Sequence, residues 1–163
     1  MTADGTTKTY RKMHLGGTER IFFDAGELPL ALTVAGQTVG IAICADSSRP
    51  THPQTYAERG ASIYATGVFL NSDWYATDVP RLRDYAAQYR MLVVMANHAS
   101  STGTYTSVGK SMVWRPDGTV LVEAAGAESV LLIATNRNAT WHGEVVRIEH
   151  APVPTHRQGQ LGT

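Results

Sequence analysis

The side chain with most chemistry to offer is the single cysteine, Cys44. It closes the apolar run Val39-Gly40-Ile41-Ala42-Ile43 and precedes Ala45-Asp46-Ser47-Ser48-Arg49-Pro50. The run suits a strand buried on both faces, and the Asp, Ser and Pro residues suit a turn into a helix. A thiol at such a corner is lifted out of the sheet. Backbone N–H groups there favour its anion and the negative charge of a covalent intermediate. The nucleophile needs a base, and His14, His52 and His98 are candidates. Spacing does not choose among them, although His98 follows a strand end and could line the same pocket. Position alone favours the plainer reading, in which Cys44 is a small buried hydrophobe.

The elements that must hold these residues are strands and helices in mixed order. Asp4-Gly5 reads as a turn, and Thr6–Leu15 as a strand rich in Thr and Tyr. Leu28–Val34 and Gln37–Cys44 form a hairpin about Ala35-Gly36. A helix is expected over Pro53–Arg59, a strand over Ala61–Thr66, and a loop bearing Trp74 and Tyr75 over Phe69–Asp78. Leu82, Tyr85, Ala86 and Tyr89 lie at helical spacing within Val79–Arg90. Met91–Ala96 reads as a buried strand ending at Asn97-His98. Ser111–Trp114 and Thr119–Glu123 flank the turn Pro116-Asp117-Gly118. Val130–Thr135 is the last expected strand. Patterning fades from Asn136, and 151–163 reads as a flexible tail after a domain over 1–150. The fold class is α/β.

Composition narrows the function. The chain has 163 residues, 43% hydrophobic and 17% charged, enough for one domain with a real core. Fourteen Lys and Arg balance fourteen Asp and Glu, which argues against nucleic acid or an anionic membrane as partner. One cysteine excludes a disulfide scaffold and a cysteine-rich zinc site. The histidines have no metal-ligand spacing, and no phosphate-binding glycine loop is present, so neither a metal nor an organic cofactor is implied. No apolar run reaches the roughly 18 residues of a membrane span, and the polar start is unlike a secretory leader. A cytoplasmic chain is expected.

Two segments together resemble the nitrilase superfamily of carbon–nitrogen hydrolases. Tyr10-Arg11-Lys12-Met13-His14-Leu15 resembles its lysine motif, and Val39 through Pro50 resembles its nucleophile motif. Gly109-Lys110-Ser111-Met112-Val113-Trp114 and Pro116-Asp117-Gly118 resemble a later strand and turn. The resemblance implies an α-β-β-α sandwich that cleaves a non-peptide amide, nitrile or carbamoyl bond through a cysteine thioester. Carried over, Cys44 is the nucleophile. Lys12 holds the oxyanion with the Ala45 N–H, and Glu19 orients the lysine or the substrate. Asp46 braces the turn, Asn97 and Ser111 support the site, and Trp74 and Tyr75 wall the substrate pocket.

The family's general-base glutamate comes from a segment before the lysine. Here the one acid before Lys12 is Asp4, outside any such motif. The expectation is therefore a partial sandwich lacking its N-terminal strands and helices, with weak or no amidase activity alone. Losing a positioned base typically costs ~10²- to 10⁴-fold in rate. A homo-oligomer that covers the gap is expected. The alternative is a non-catalytic remnant that binds a ligand or partner.

Overall fold

Ala35 and Gly36 both adopt left-handed backbone, with φ of 48° and 78°. Two consecutive positive φ values suit a tight hairpin turn. They join β1 (Ala31–Val34) to β2 (Gln37–Ile43) as an antiparallel pair, as the sequence predicts. The computed structural model describes residues 5–148. Asp4, the domain limit at residue 150 and the tail over 151–163 lie outside the described residues.

From β2 the sheet grows through two parallel crossovers. Ahead of the sheet lies the single-turn α1 (Glu19–Phe22), and after β2 a short 3-10 turn (Cys44–Asp46) and α2 (Thr51–Glu58) lead to β3 (Ile63–Val68). Then α3 (Ser72–Tyr89) leads to β4 (Leu92–Asn97). The strands β7 (Met112–Trp114) and β8 (Val120–Glu123) add an antiparallel hairpin, giving the order β1-β2-β3-β4-β7-β8. Asp117 fixes that hairpin's turn by accepting the Thr119 N–H at 2.8 Å. A small pair, β5 (Ser101–Thr102) and β6 (Tyr105–Thr106), follows β4.

Side chains alternate across the strands, so each sheet face has its own core. On one face α2 and α3 bury Tyr56, Leu82, Tyr85 and Ala86 against Tyr64, Val93 and Met95. Gly40 allows this approach: a Cβ there would lie 2.5 Å from the Tyr56 ring. On the other face a separate hairpin, β9 (Val130–Arg137) and β10 (Thr140–Arg147), places Leu132, Ala134 and Trp141 on Leu92, Val113 and Val122. On the same face Ile63 and Val94 are only half-buried. Ile21, Phe22, Phe23 and Leu28 are exposed.

Three expectations need correction. Thr6–Leu15 is not a strand: the N–H groups of Met13 and His14 go to the Asp46 carboxylate rather than to a neighbouring strand. Phe69–Asp78 is not a loop throughout, because α3 starts at Ser72. Asn71 caps it, its side chain accepting the Trp74 N–H at 3.0 Å. Patterning does not end at Asn136, since β9 runs to Arg137 and β10 follows. Their turn uses Asn138 and Ala139 at positive φ, and nothing in the Ala139 side chain announces that conformation.

Candidate active site

Cys44 stands where β2 ends, and its φ is +47°. A non-glycine residue is held in this left-handed region only by its surroundings, at a cost of roughly 1–2 kcal/mol. Here the surroundings are a knot of short bonds. The Ser47 N–H and hydroxyl both donate to the Cys44 carbonyl, at 2.9 and 2.8 Å. Asp46 accepts the N–H of Ile43, the residue before the cysteine, at 3.0 Å.

Asp46 also reaches back to the start of the chain. Its Oδ1 accepts the N–H groups of Met13 at 3.1 Å and His14 at 2.7 Å, and its Oδ2 accepts the Tyr10 hydroxyl at 2.8 Å. The side chain is fully buried. Burial works against its charge. The donors from Ile43, Tyr10 and His14 outweigh that and hold the carboxyl below its ordinary range. The same carboxylate thus fixes the turn of Cys44 and the segment that carries Lys12.

His52 extends this bracing. It is buried, with Nε2 at 3.0 Å from the Tyr10 hydroxyl and Nδ1 at 2.9 Å from the Tyr64 hydroxyl. Burial pushes its pKa down to about 4, so the ring is neutral near pH 7. Because the Tyr10 proton goes to Asp46, Nε2–H donates to Tyr10 and Nδ1 accepts from Tyr64. His14, Asp46 and His52 each offer a metal-ligand atom within 4.8 Å of the others, a grouping that linear spacing did not suggest. Every one of these groups is already spent on hydrogen bonds within the protein, so the cluster reads as bracing.

Lys12 makes a tight ion pair with Glu19, whose Oε2 lies 2.6 Å from Nζ and also accepts the Gly16 N–H at 2.6 Å. Both donors hold the Glu19 carboxyl below its usual range. Gly16 links this pair to the cysteine turn: a Cβ on it would meet Glu19 Oε2 at 3.6 Å and Ala45 Cβ at 3.7 Å.

Cys44 opens on a cavity of about 460 Å³, whose walls include Val68, Phe69, Asn97, His98 and Thr102. Lys12 and Glu19 are not among its lining residues. A sequence profile of the carbon-nitrogen hydrolases matches residues 1–141. The chain belongs to the carbon–nitrogen hydrolase family.

A nitrilase of Pyrococcus abyssi (strain GE5 / Orsay) is 29% identical over 126 residues, which cover 77% of this chain and 47% of the relative. Among solved structures, the NitN amidase of Nesterenkonia sp. AN1 superposes with a TM-score of 0.68 at 26% identity, covering 86% of this chain and 51% of that one. Nit3 of Saccharomyces cerevisiae, at 23% identity and a TM-score of 0.65, shares the fold over 71% of this chain and 43% of its own. The chain therefore spans about half the length of the relatives it matches. The α/β architecture is the one these neighbours have. In a glutamate-to-glutamine variant of the Nesterenkonia amidase, the active-site cysteine carries the acetamide moiety of fluoroacetamide or the Michael adduct of acrylamide. A cysteine-to-alanine variant is in complex with butyramide.

The remaining carbon–nitrogen hydrolase positions divide by what holds them. Asn97 lines the cavity with its side chain committed elsewhere. Its Oδ1 accepts the Leu70 N–H at 2.8 Å, and its Nδ2 donates to the Gly109 carbonyl at 2.5 Å. Ser111 accepts the Asn97 backbone N–H at 3.0 Å. Trp74 and Tyr75 do not line the cavity. Trp74 is stacked on Tyr105, and the Tyr75 hydroxyl donates to the Lys110 carbonyl. Of the three histidines, His14 and His52 belong to the Asp46 cluster, and His98 belongs to the cavity.

Proposed function

We propose that the protein uses Cys44 to attack the carbonyl carbon of a small non-peptide amide, with nitriles and carbamoyl compounds as the wider class. The observation that carries this reading is the left-handed Cys44 at a cavity, its turn tied by Asp46 to the segment of Lys12. The thiolate adds to the carbonyl and forms a tetrahedral oxyanion. The Ala45 N–H and the Lys12 ammonium, paired with Glu19 beside Ala45, stabilise that charge. The amine leaves, and water hydrolyses the thioester. Small aliphatic amides fit, in keeping with the butyramide complex of the Nesterenkonia amidase.

Turnover by this chain alone is slow in this reading. The carboxylates described beside the cysteine turn, Glu19 and Asp46, are engaged by Lys12 and by backbone N–H groups. Neither is free to take the role of general base. The exposed Phe22, Phe23 and Leu28 support a homo-oligomer in which a second copy covers them. A lone unpaired cysteine suits the cytoplasm. No helix among the described residues is long and apolar enough to cross a membrane.

The test combines ammonia release from butyramide with fluoroacetamide labelling read by peptide mass. Labelling at Cys44, with slow release that Cys44→Ala abolishes, is the expected result. Neither labelling nor release would favour a non-catalytic binding domain.

A further inference from the structure

The hairpin of β9 and β10 is a two-stranded sheet with no third strand among the described residues. We propose that the free edge of β9 takes an extended segment of a second, different polypeptide as an added strand. Alternate apolar side chains of that strand settle on Ile41, Ala65 and Val94 of the main sheet. The role of Cys44 does not enter.

The bonding of the hairpin fixes which groups await a partner. Val130 stands opposite Arg147, so Ser129 stands opposite Ile148, and the Ile148 N–H donates to the Ser129 carbonyl at 3.1 Å. In an antiparallel pair, bonded and unbonded positions alternate. Leu131, Ile133 and Thr135 therefore bond inward to β10. Val130, Leu132, Ala134 and Asn136 turn their N–H and C=O groups to the free edge. That edge is eight residues long and its register runs unbroken. It holds no proline, and its one charged residue is Arg137 at the end. Such an edge accepts a strand, since charge, proline and bulges are what keep an edge unpaired.

The edge also stands beside an apolar surface with little cover. β10 lies on β8, where a Cβ on Gly143 would come within 2.7 Å of the Val122 side chain. β9 reaches past β8 to β7, and Leu132 and Ala134 pack against Leu92, Val113 and Val122. The free edge of β9 thus faces β4, β3 and β2. On that face Ile41 stands opposite Ala65, and Ala65 opposite Val94. Cover thins with distance from the hairpin. Leu92 and Val113 are buried and Ala65 and Val94 half-buried, while Ile43 and Val34 are 40% and 57% exposed. A strand added at the usual spacing of ~4.8 Å continues the hairpin's layer over this face.

A second copy of this chain does not fit the same edge. Two-fold antiparallel pairing of β9 with its counterpart keeps both main sheets on one side of the joined layer. The counterpart's β7 and β8 would then claim the space of β4 and β3. The occupant is instead a segment with no sheet of its own on that side. The Pyrococcus nitrilase and the Nesterenkonia amidase each have about half their length without a counterpart here. Proteins of this family thus hold as much further polypeptide as such a layer requires.

The probe is a fluorescent eight-residue peptide, as long as β9, in which valine alternates with threonine and lysine. A control peptide of the same composition has its valines grouped. Anisotropy follows binding to the full chain, Ala134→Pro and Ile41→Lys, and circular dichroism confirms that the variants fold. Ala134→Pro removes an N–H from the free edge and leaves the ladder to β10 intact. Ile41→Lys puts a charge beneath the added strand. Saturable binding of the alternating peptide alone, weakened at least tenfold by each variant, is expected. Hydrogen exchange should then slow at residues 130, 132, 134 and 136 when the peptide binds, with 131, 133 and 135 protected throughout. If Ala134→Pro does not fold, Ile41→Lys and the exchange pattern decide. No saturable binding, or equal binding by parent and variants, would overturn the proposal. Free-edge amides already protected without peptide, in a chain that sediments as a dimer, would assign the edge to a second copy and overturn it too.

Discussion

Asp46 and His14 are joined across 32 positions of chain by a 2.7 Å hydrogen bond from the His14 N–H to the buried Oδ1. The segment of Lys12 has no place in the sheet. Its position relative to Cys44 is set by one carboxylate that also holds the Ile43 N–H. Asp46 is therefore a positioning residue for two others.

Removing that acceptor has a large expected cost. Asp46→Ala leaves the donors of Met13, His14, Ile43 and Tyr10 without their acceptor in a buried region. A loss of more than about 3 kcal/mol in urea unfolding is expected, since each buried unsatisfied group costs ~1–3 kcal/mol. Loss below about 1 kcal/mol would mean the N-terminal segment is held by other contacts.

The His52 ring gives stability a pH dependence of defined sign. Its folded pKa, about 4, lies below the ordinary histidine value of 6.5. As pH falls below 6.5 the unfolded chain binds the proton first, so stability is full above that pH. It declines as pH falls toward 4 and loses on the order of 3 kcal/mol. Asp46, also depressed, adds a loss at still lower pH. Urea midpoints at pH 7, 5.5 and 4.5 read this slope. His52→Gln flattens it, and an unchanged slope in that variant would assign the effect elsewhere.

Backbone strain at Cys44 separates two substitutions that both remove the sulfur. Glycine adopts φ of +47° freely, whereas alanine does not. Cys44→Gly is expected to be more stable than Cys44→Ala by roughly 1 kcal/mol, measured by denaturant unfolding. Equal stabilities would mean that the corner is not strained.

In the proposed mechanism Lys12 acts on charge rather than on the thiol. Lys12→Met is expected to cut ammonia release by ~10²-fold or more, because one lost oxyanion donor typically costs that much. It should leave fluoroacetamide labelling of Cys44 nearly intact, since displacement of fluoride forms no tetrahedral oxyanion. Equal losses in both assays would point to a collapsed site.

Much of this arrangement is legible along the chain, for reasons that differ by residue. The run into Cys44 and the turn residues after it are local signals, and they locate the corner. The Ala35-Gly36 and Pro116-Asp117-Gly118 turns are equally local. The Thr6–Leu15 segment misleads because its β-rich composition is overridden by one distant carboxylate. The start of α3 is hidden because Asn71-Ser72-Asp73 reads as a loop until Asn71 is seen to cap a helix. The gathering of His14, Asp46 and His52 is a product of tertiary packing, and no spacing rule anticipates it. The choice of His98 over the other histidines as the cavity's neighbour likewise needs the fold, although its place at the end of β4 was the clue available.

The most direct measurement is the second-order rate of fluoroacetamide addition to Cys44 in the folded chain, compared with the same chain in urea at the same pH. A carbon–fluorine bond yields little to an ordinary thiol, so the account predicts labelling of the folded chain at least ~10²-fold faster than the unfolded one, mapped to Cys44 alone. Equal rates in the two states would contradict it.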